Sequence, residues 1–94
     1  LKLTVIEEEG PRSEFELEQP VITIGRALDN DIRMMSTRVS RHHGRIEAQN
    51  GQAWVIDLNS ANGVTVNGEK VDRRLLTRGD EIEFGGEGAR LIVG

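Results

Sequence analysis

Ninety-four residues with a formal net charge of −4, eleven glycines and no cysteine describe a chain sized for one domain, over residues 1–94, that folds without disulfides or a thiolate metal site. The negative balance argues against a general nucleic-acid binder, which needs clustered excess Lys and Arg. No apolar run approaches the roughly 20 residues that cross a bilayer, so neither nucleic acid nor membrane is an expected partner.

Leu1, Leu3 and Val5 alternate with Lys2, Thr4 and Ile6, and Glu7 to Glu9 with Gly10-Pro11 closes this first, edge-like strand in a turn. Phe15 and Leu17 alternate with Glu14, Glu16 and Glu18 in a half-buried strand that Pro20 stops. Val21 to Ile24 reads as a third strand, ending at Gly25 and delivering Arg26. Asp29-Asn30-Asp31 is turn chemistry, and Ile32 to Met34 is a candidate short strand. Ile46 and Ala48 alternate with polar residues up to Asn50-Gly51, and beyond it Trp54, Ile56 and Leu58 share one face of the run from Ala53. Two alternating runs around Asn-Gly are a strong hairpin signal. Asn62-Gly63 and Asn67-Gly68 repeat that device around Val64 to Val66. Val71, Leu75 and Leu76 fall within one helical turn of each other, but nothing sustains a period of 3.6 residues. Ile82 and Phe84, then Arg90 to Val93, make the last two strands across Gly85-Gly86-Glu87-Gly88. Short strands at this spacing predict an all-β sandwich or barrel with no substantial helix, and a core of Ile, Val and Leu whose only aromatics are Trp54, Phe15 and Phe84. So few aromatic faces disfavour a barrel that stacks single-stranded bases.

Charge is unevenly placed. Arg26, Arg33, Arg38, Arg41 and Arg45 crowd one stretch, while Glu7, Glu8, Glu9, Glu14, Glu16 and Glu18 crowd the first eighteen residues. Such an arrangement is either a pair of solvated charge runs or one positive face on an acidic molecule. Ser40, His42 or His43, and Asp57 supply the residue types of a nucleophilic triad, but no strand-to-helix nucleophile elbow accompanies them. The adjacent histidines point to opposite sides of an extended segment, one buried and structural and the other exposed. They make a poor metal pair, and no distant His or Cys completes a site. Asp29-x-Asp31 opens like a calcium loop, but Arg33, Met34 and Ser40 stand where an oxygen ligand, glycine and glutamate belong. The Asp-Asn-Asp triplet is read as an Asx-type turn. Gly85-Gly86-Glu87-Gly88 lacks the frame of a dinucleotide cradle. Neither a metal nor a cofactor is expected.

Three groups of loop residues remain: Gly25-Arg26, Ser40-Arg41-His42-His43, and Asn59-Ser60-Ala61-Asn62-Gly63. Together they offer two guanidiniums, a hydroxyl and a carboxamide, a set suited to an anion of several acceptor oxygens with a peptide beside it. Taken with Val66-Asn67-Gly68, these blocks resemble in order and spacing the forkhead-associated (FHA) domain, through Gly-Arg, Ser-Arg-x-His and Ser-x-Asn-Gly. The likeness covers nearly the whole chain. It implies a β-sandwich of about eleven short, mostly antiparallel strands of the SMAD/FHA-like kind, without catalytic activity, whose loops at one end bind phosphothreonine peptides.

Carried onto this chain, the resemblance implies that Arg26 and Ser40 hold the phosphate, with Arg41 adding a contact to phosphate or peptide. Asn62 would bond the peptide main chain, and His43 would hold the loops so that Ser40 and Asn62 face one ligand. Ser60 belongs to the same structural motif, and Gly25 and Gly63 permit the tight turns. Ala61 stands where many members of the family carry Ser or Thr and a further phosphate contact. Arg38 lies in the loop that faces residues C-terminal to the phosphothreonine, which implies a preference for an acidic side chain there. The expected partner is a protein phosphorylated by a Ser/Thr kinase. The rival reading is an interaction scaffold that uses the same fold without phosphate. The missing cysteines fit a cytoplasmic protein, and the lack of an initial Met with a strand-like C-terminus suggests a domain cut from a longer chain.

Overall fold

The computed structural model describes residues 2–7, 12–86 and 89–94. Within them the chain forms eleven strands and no helix: β1 (Lys2–Glu7), β2 (Ser13–Glu16), β3 (Val21–Gly25), β4 (Ile32–Arg33), β5 (Gly44–Gln49), β6 (Gln52–Asp57), β7 (Val64–Val66), β8 (Glu69–Val71), β9 (Arg73–Leu75), β10 (Glu81–Phe84) and β11 (Ala89–Val93). They make two sheets, ordered β2-β1-β11-β10-β7-β8 and β4-β3-β5-β6-β9. All pairings are antiparallel except β3 with β4. Of the all-β sandwich or barrel expected from the alternating runs, the sandwich that the family resemblance implies is what forms.

The core lies between the sheets. Leu3, Val64, Val66, Ile82, Phe84 and Leu91 from one layer, and Ile22, Ile24, Ile46 and Val55 from the other, are fully buried, with Met34 and Val39 from the loops. Deleting one such side chain typically costs about 2–5 kcal/mol. Asn50 and Gly51 have φ of 55° and 76°, and Asn67 and Gly68 of 52° and 86°. Both pairs are therefore two-residue hairpin turns of the primed type, joining β5 to β6 and β7 to β8.

Four local expectations differ from the structure. The first strand is not at an edge: β1 lies between β2 and β11, where Leu3 pairs with Val93 and Val5 with Leu91. The acidic β2 takes the edge instead, where charge discourages pairing with another chain. Trp54 and Ile56 share a face, but the outer one, and Ala53 and Val55 enter the core. Both alternating sets of β6 are apolar, so hydropathy alone does not separate them; the register Ile46 to Val55 does. Trp54 is instead covered by Arg73, whose guanidinium sits 4.4 Å from the ring centroid. Asn62-Gly63 is not a hairpin turn, because β6 and β7 belong to different sheets and the segment crosses between them. Val71, Leu75 and Leu76 share no helical turn: the first two lie on the short strands β8 and β9, and Leu76 follows β9. The expected turn over Glu8 to Pro11, Leu1, and the Glu87-Gly88 part of the last hairpin lie outside the described residues.

At the far end of β10 a carboxylate organises the turn. Asp80 is only 6% exposed; its oxygens accept from Thr77 N at 2.7 Å and Asn67 Nδ2 at 2.9 Å. Burial opposes its charge, but these bonds outweigh it and hold the carboxyl below its ordinary 3.8. A group so depressed stabilises the fold fully above 3.8, and that contribution disappears as the pH falls through the folded-state value. Asp80→Ala should lower the unfolding free energy at neutral pH by about 1–3 kcal/mol. Urea denaturation should show the gap between wild type and variant narrowing on acidification, and a gap independent of pH would contradict this role.

Candidate functional site

The pairings Ile24 to Gly44, Gly44 to Asp57 and Phe84 to Val64 bring the ends of β3, β6 and β10 to the same pole as the starts of β5 and β7. The loops at 26–31, 34–43 and 58–63 therefore meet there, beside Gly85. Backbone bonds tie the first two: Arg26 N donates to Ser40 O at 3.0 Å, Ala27 N to Arg41 O at 3.1 Å, and Met34 N to Gly25 O at 2.9 Å. Gly25 is required by this closeness, since a Cβ there would fall against the carbonyl oxygen of Arg41. Asn30 does more than make a turn. Its Nδ2 donates to Ala27 O at 2.9 Å and to Arg41 O at 2.8 Å, clipping the two loops together.

Arg26 is exposed but not free to wander. Its Nε donates to Val39 O at 3.1 Å, which fixes the guanidinium plane and leaves the two terminal nitrogens to face a ligand. Arg33 Nε donates to Arg26 O at 2.9 Å. Arg26, Arg33, Arg41, Asp29 and His42 line a depression of about 560 Å³ with Ala27 and Leu28. Among the described residues, none of these guanidiniums forms an ion pair.

His43 is fully buried and joins two loops. Ser40 N donates to its Nδ1 at 2.9 Å, and its Nε2 lies 2.7 Å from Gly63 O. A backbone N–H can only donate and a carbonyl only accept, so the ring is neutral with its proton on Nε2. Phe84 meets it edge-on at a centroid distance of 5.6 Å. Ser40 Oγ accepts from Ala61 N at 3.1 Å, which leaves the hydroxyl hydrogen to be donated elsewhere. Asn62 Nδ2 donates to Arg38 O at 2.8 Å, keeping its carbonyl oxygen and second N–H available. Ser60 shapes the crossing loop: its N–H reaches Asp57 Oδ1 at 3.1 Å, and its hydroxyl accepts from Gly63 N at 2.9 Å. Arg38 turns toward the end of β10, its Nε donating to Gly85 O at 2.7 Å.

The cluster thus gathers Arg26, Ser40, Arg41 and Asn62 at one pole, each attached to a loop held by backbone bonds. It contains no triad: His43 takes the backbone N–H of Ser40 rather than its hydroxyl, and Asp57 serves Ser60. Nor does it form a calcium loop. Asp31 Oδ2 accepts from Thr23, Asp29 pairs with His42 Nε2 at 3.0 Å, and no group of three metal-ligating side chains occurs among the described residues. The hydrogen bond from His42 holds the Asp29 carboxyl below its ordinary 3.8. Several of these ties were beyond sequence reasoning, namely the Asn30 clip, the Ala61 N–H on Ser40 and the Arg38 reach to Gly85. Each uses a main-chain atom of another loop, and no side-chain pattern reports such partners.

A β-sandwich that presents fixed cationic and hydroxyl donors on loops at one pole has the form of an anion-reading interaction module. The chain belongs to the FHA-domain family, whose model matches residues 22–85. It is 41% identical over 78 residues to the glycogen accumulation regulator GarA of Mycolicibacterium smegmatis, covering 81% of this chain and 49% of that protein. It is 38% identical over the same length to the oxoglutarate dehydrogenase inhibitor of Corynebacterium efficiens, covering 81% and 55%. The chain thus spans about half the length of the curated relatives it matches. Among solved structures, it superposes with a TM-score of 0.84 at 34% identity on the FhaA FHA domain complexed with the intracellular domain of Rv3910, covering 96% of this chain and 97% of that one. A second structure, from work on phosphothreonine-dependent FHA domain interactions, gives 0.85 at 34% identity, covering 98% and 94%.

His43→Ala would leave Ser40 N without its partner, take from Gly63 O one of its two donors, and open a cavity against Phe84. Calorimetric or chemical denaturation should register a loss of about 2–4 kcal/mol. A loss below about 0.5 kcal/mol, the range of ordinary surface substitutions, would contradict the bridge.

Proposed function

We propose that Arg26 and Ser40 of this domain grip the phosphate of a phosphothreonine, that Arg41 adds a contact beside them, and that Asn62 holds the peptide main chain next to it. The domain is then a phosphorylation-dependent interaction module whose partner is a protein modified by a Ser/Thr kinase. The observation that carries this reading is the pairing of a fixed Arg26 guanidinium with a Ser40 hydroxyl whose oxygen is already satisfied by Ala61 N. The donors stand in position before any ligand arrives, so little ordering cost falls on binding. A phosphothreonine adds a charge of about −1.5 to −2 and three strong acceptors, and each charge-assisted bond contributes roughly 1.5–3 kcal/mol.

Binding rather than catalysis is supported by the Ser40 hydroxyl, which among the described residues has no imidazole or carboxylate bonded to it to take its proton. The relatives named as a glycogen accumulation regulator and an oxoglutarate dehydrogenase inhibitor support a regulatory role exercised by protein contact. We place that role in the cytoplasm, consistent with a sequence without cysteine. No helix among the described residues is long and apolar enough to cross a membrane.

Titration with phosphothreonine, phosphoserine, phosphotyrosine and plain versions of a degenerate peptide pool tests the reading. Phosphothreonine alone should bind, and Arg26→Ala or Ser40→Ala should each weaken it by roughly tenfold or more. Equal binding of plain and phosphorylated pools would sink the proposal. In the same library, an acidic residue should be enriched C-terminal to the phosphothreonine through the terminal nitrogens of Arg38. That preference should vanish in Arg38→Ala, and its persistence there would rule Arg38 out as the selector.

A further inference from the structure

The depression beside Arg26 is larger and more cationic than one phosphate requires. Arg26, Arg33 and Arg41 line it, against the single carboxylate of Asp29, which His42 already engages. Ser40 and Asn62 do not line it, so it adjoins the proposed phosphate donors through Arg26 and Arg41 without containing that hydroxyl or amide. Arg33 uses only Nε to hold Arg26 O, and its two terminal nitrogens have no partner among the described residues. In a chain of net charge −4, three guanidiniums facing one carboxylate leave this hollow with an excess of positive charge, a local field that favours a second negative group.

We propose that this depression is a second anion subsite, and that the preferred ligand carries a phosphate or carboxylate near its phosphothreonine, seated on Arg33 with Arg41 shared between the two anions. The inference rests on the phosphothreonine reading and adds to it. A simple strut role for Arg33 would use its Nε bond alone. Seating an anion uses the remaining face of the same guanidinium, in the planar geometry that suits carboxylates and phosphates. The Nε bond then serves as the positioning contact that aims that face into the hollow. Arg38 shares the 34–43 loop with Arg41 but turns toward Gly85, whereas Arg33 ends β4 and bonds Arg26 O, so the two acidic preferences rest on different guanidiniums and are separable.

The test takes a phosphothreonine peptide with alanine flanks and moves a single glutamate through each neighbouring position, with a parallel series carrying phosphoserine instead. Affinities are read by fluorescence anisotropy at low and at physiological salt. At one or two positions glutamate should improve binding by roughly fivefold to tenfold, phosphoserine by more, and both gains should shrink as salt rises. If only the phosphoserine series gains, the subsite is selective for a second phosphate; if both gain, it takes either source of charge. Arg33→Gln should erase the gain while leaving the alanine-flanked phosphopeptide within about twofold of wild type, and Arg33→Lys, which keeps the charge but loses the planar fork and the Nε bond, should keep only part of it. No gain at any position, with the alanine-flanked phosphopeptide still bound, overturns this inference alone. A gain removed by Arg38→Ala but kept in Arg33→Gln overturns it too. Equal weakening of neutral and acidic peptides in both Arg33 variants would show a strut for Arg26 and no subsite. If the alanine-flanked phosphopeptide itself fails to bind, the phosphothreonine reading falls and this inference with it.

Discussion

The buried imidazole of His43 accepts one hydrogen bond from the loop that carries Ser40 and donates another to the loop that carries Asn62 and Gly63. Both partners are main-chain groups inside the sandwich end, where an unpaired polar atom would cost about 1–3 kcal/mol. Moving either loop alone therefore breaks one of these bonds, and Ser40 N has no other partner among the described residues. Phe84 packs against the ring from the core side, so the same residue links the apolar interior to the polar pole. Gly63 O also accepts from Gly85 N, and Arg38 Nε donates to Gly85 O, which extends the lattice to the end of β10.

Around this bridge, the division of labour between main chain and side chain is sharp. Loop positions are set by main-chain bonds and by the glycines that allow close approach. At Gly25 the neighbouring carbonyl leaves no room for a side chain. At Gly85 the same holds against Arg38 O, with a φ of 79° besides. Side chains with spare valence are then left facing outward: the terminal nitrogens of Arg26, the hydroxyl hydrogen of Ser40 and one edge of the Asn62 amide. Preorganisation of this kind suits a reader of modified peptides, because the ligand meets donors already oriented and supplies only its own ordering cost.

Much of the architecture was legible because period-2 alternation and Asn-Gly turns are local signals. The Asn50-Gly51 hairpin and the inward face of β5 at Ile46 follow from them directly. The same signals were ambiguous where both faces of a strand are apolar, so Trp54 read as a core residue although Val55 occupies that place. They misled at Asn62-Gly63, where a turn dipeptide carries the chain from one sheet to the other, since sheet membership depends on partners distant in sequence. The short strands β8 and β9 are too brief and too charged for any period to register. In the candidate site, the blocks around Arg26, Ser40 and Asn62 stood out as residues beyond the strands, and the structure brings them to one pole. What the sequence could not report was the set of main-chain acceptors, at Val39, Arg41, Gly63 and Gly85, on which their positions depend.

The pole is built before the ligand comes, with His43 as its neutral bridge. Long-range proton–nitrogen NMR correlation of the imidazole at neutral pH, in the free domain and after addition of a phosphothreonine peptide, tests it most directly. Both states should show a single neutral tautomer protonated at Nε2. A free domain whose ring is charged, protonated at Nδ1 or averaged between tautomers, and which settles only on adding peptide, would contradict it.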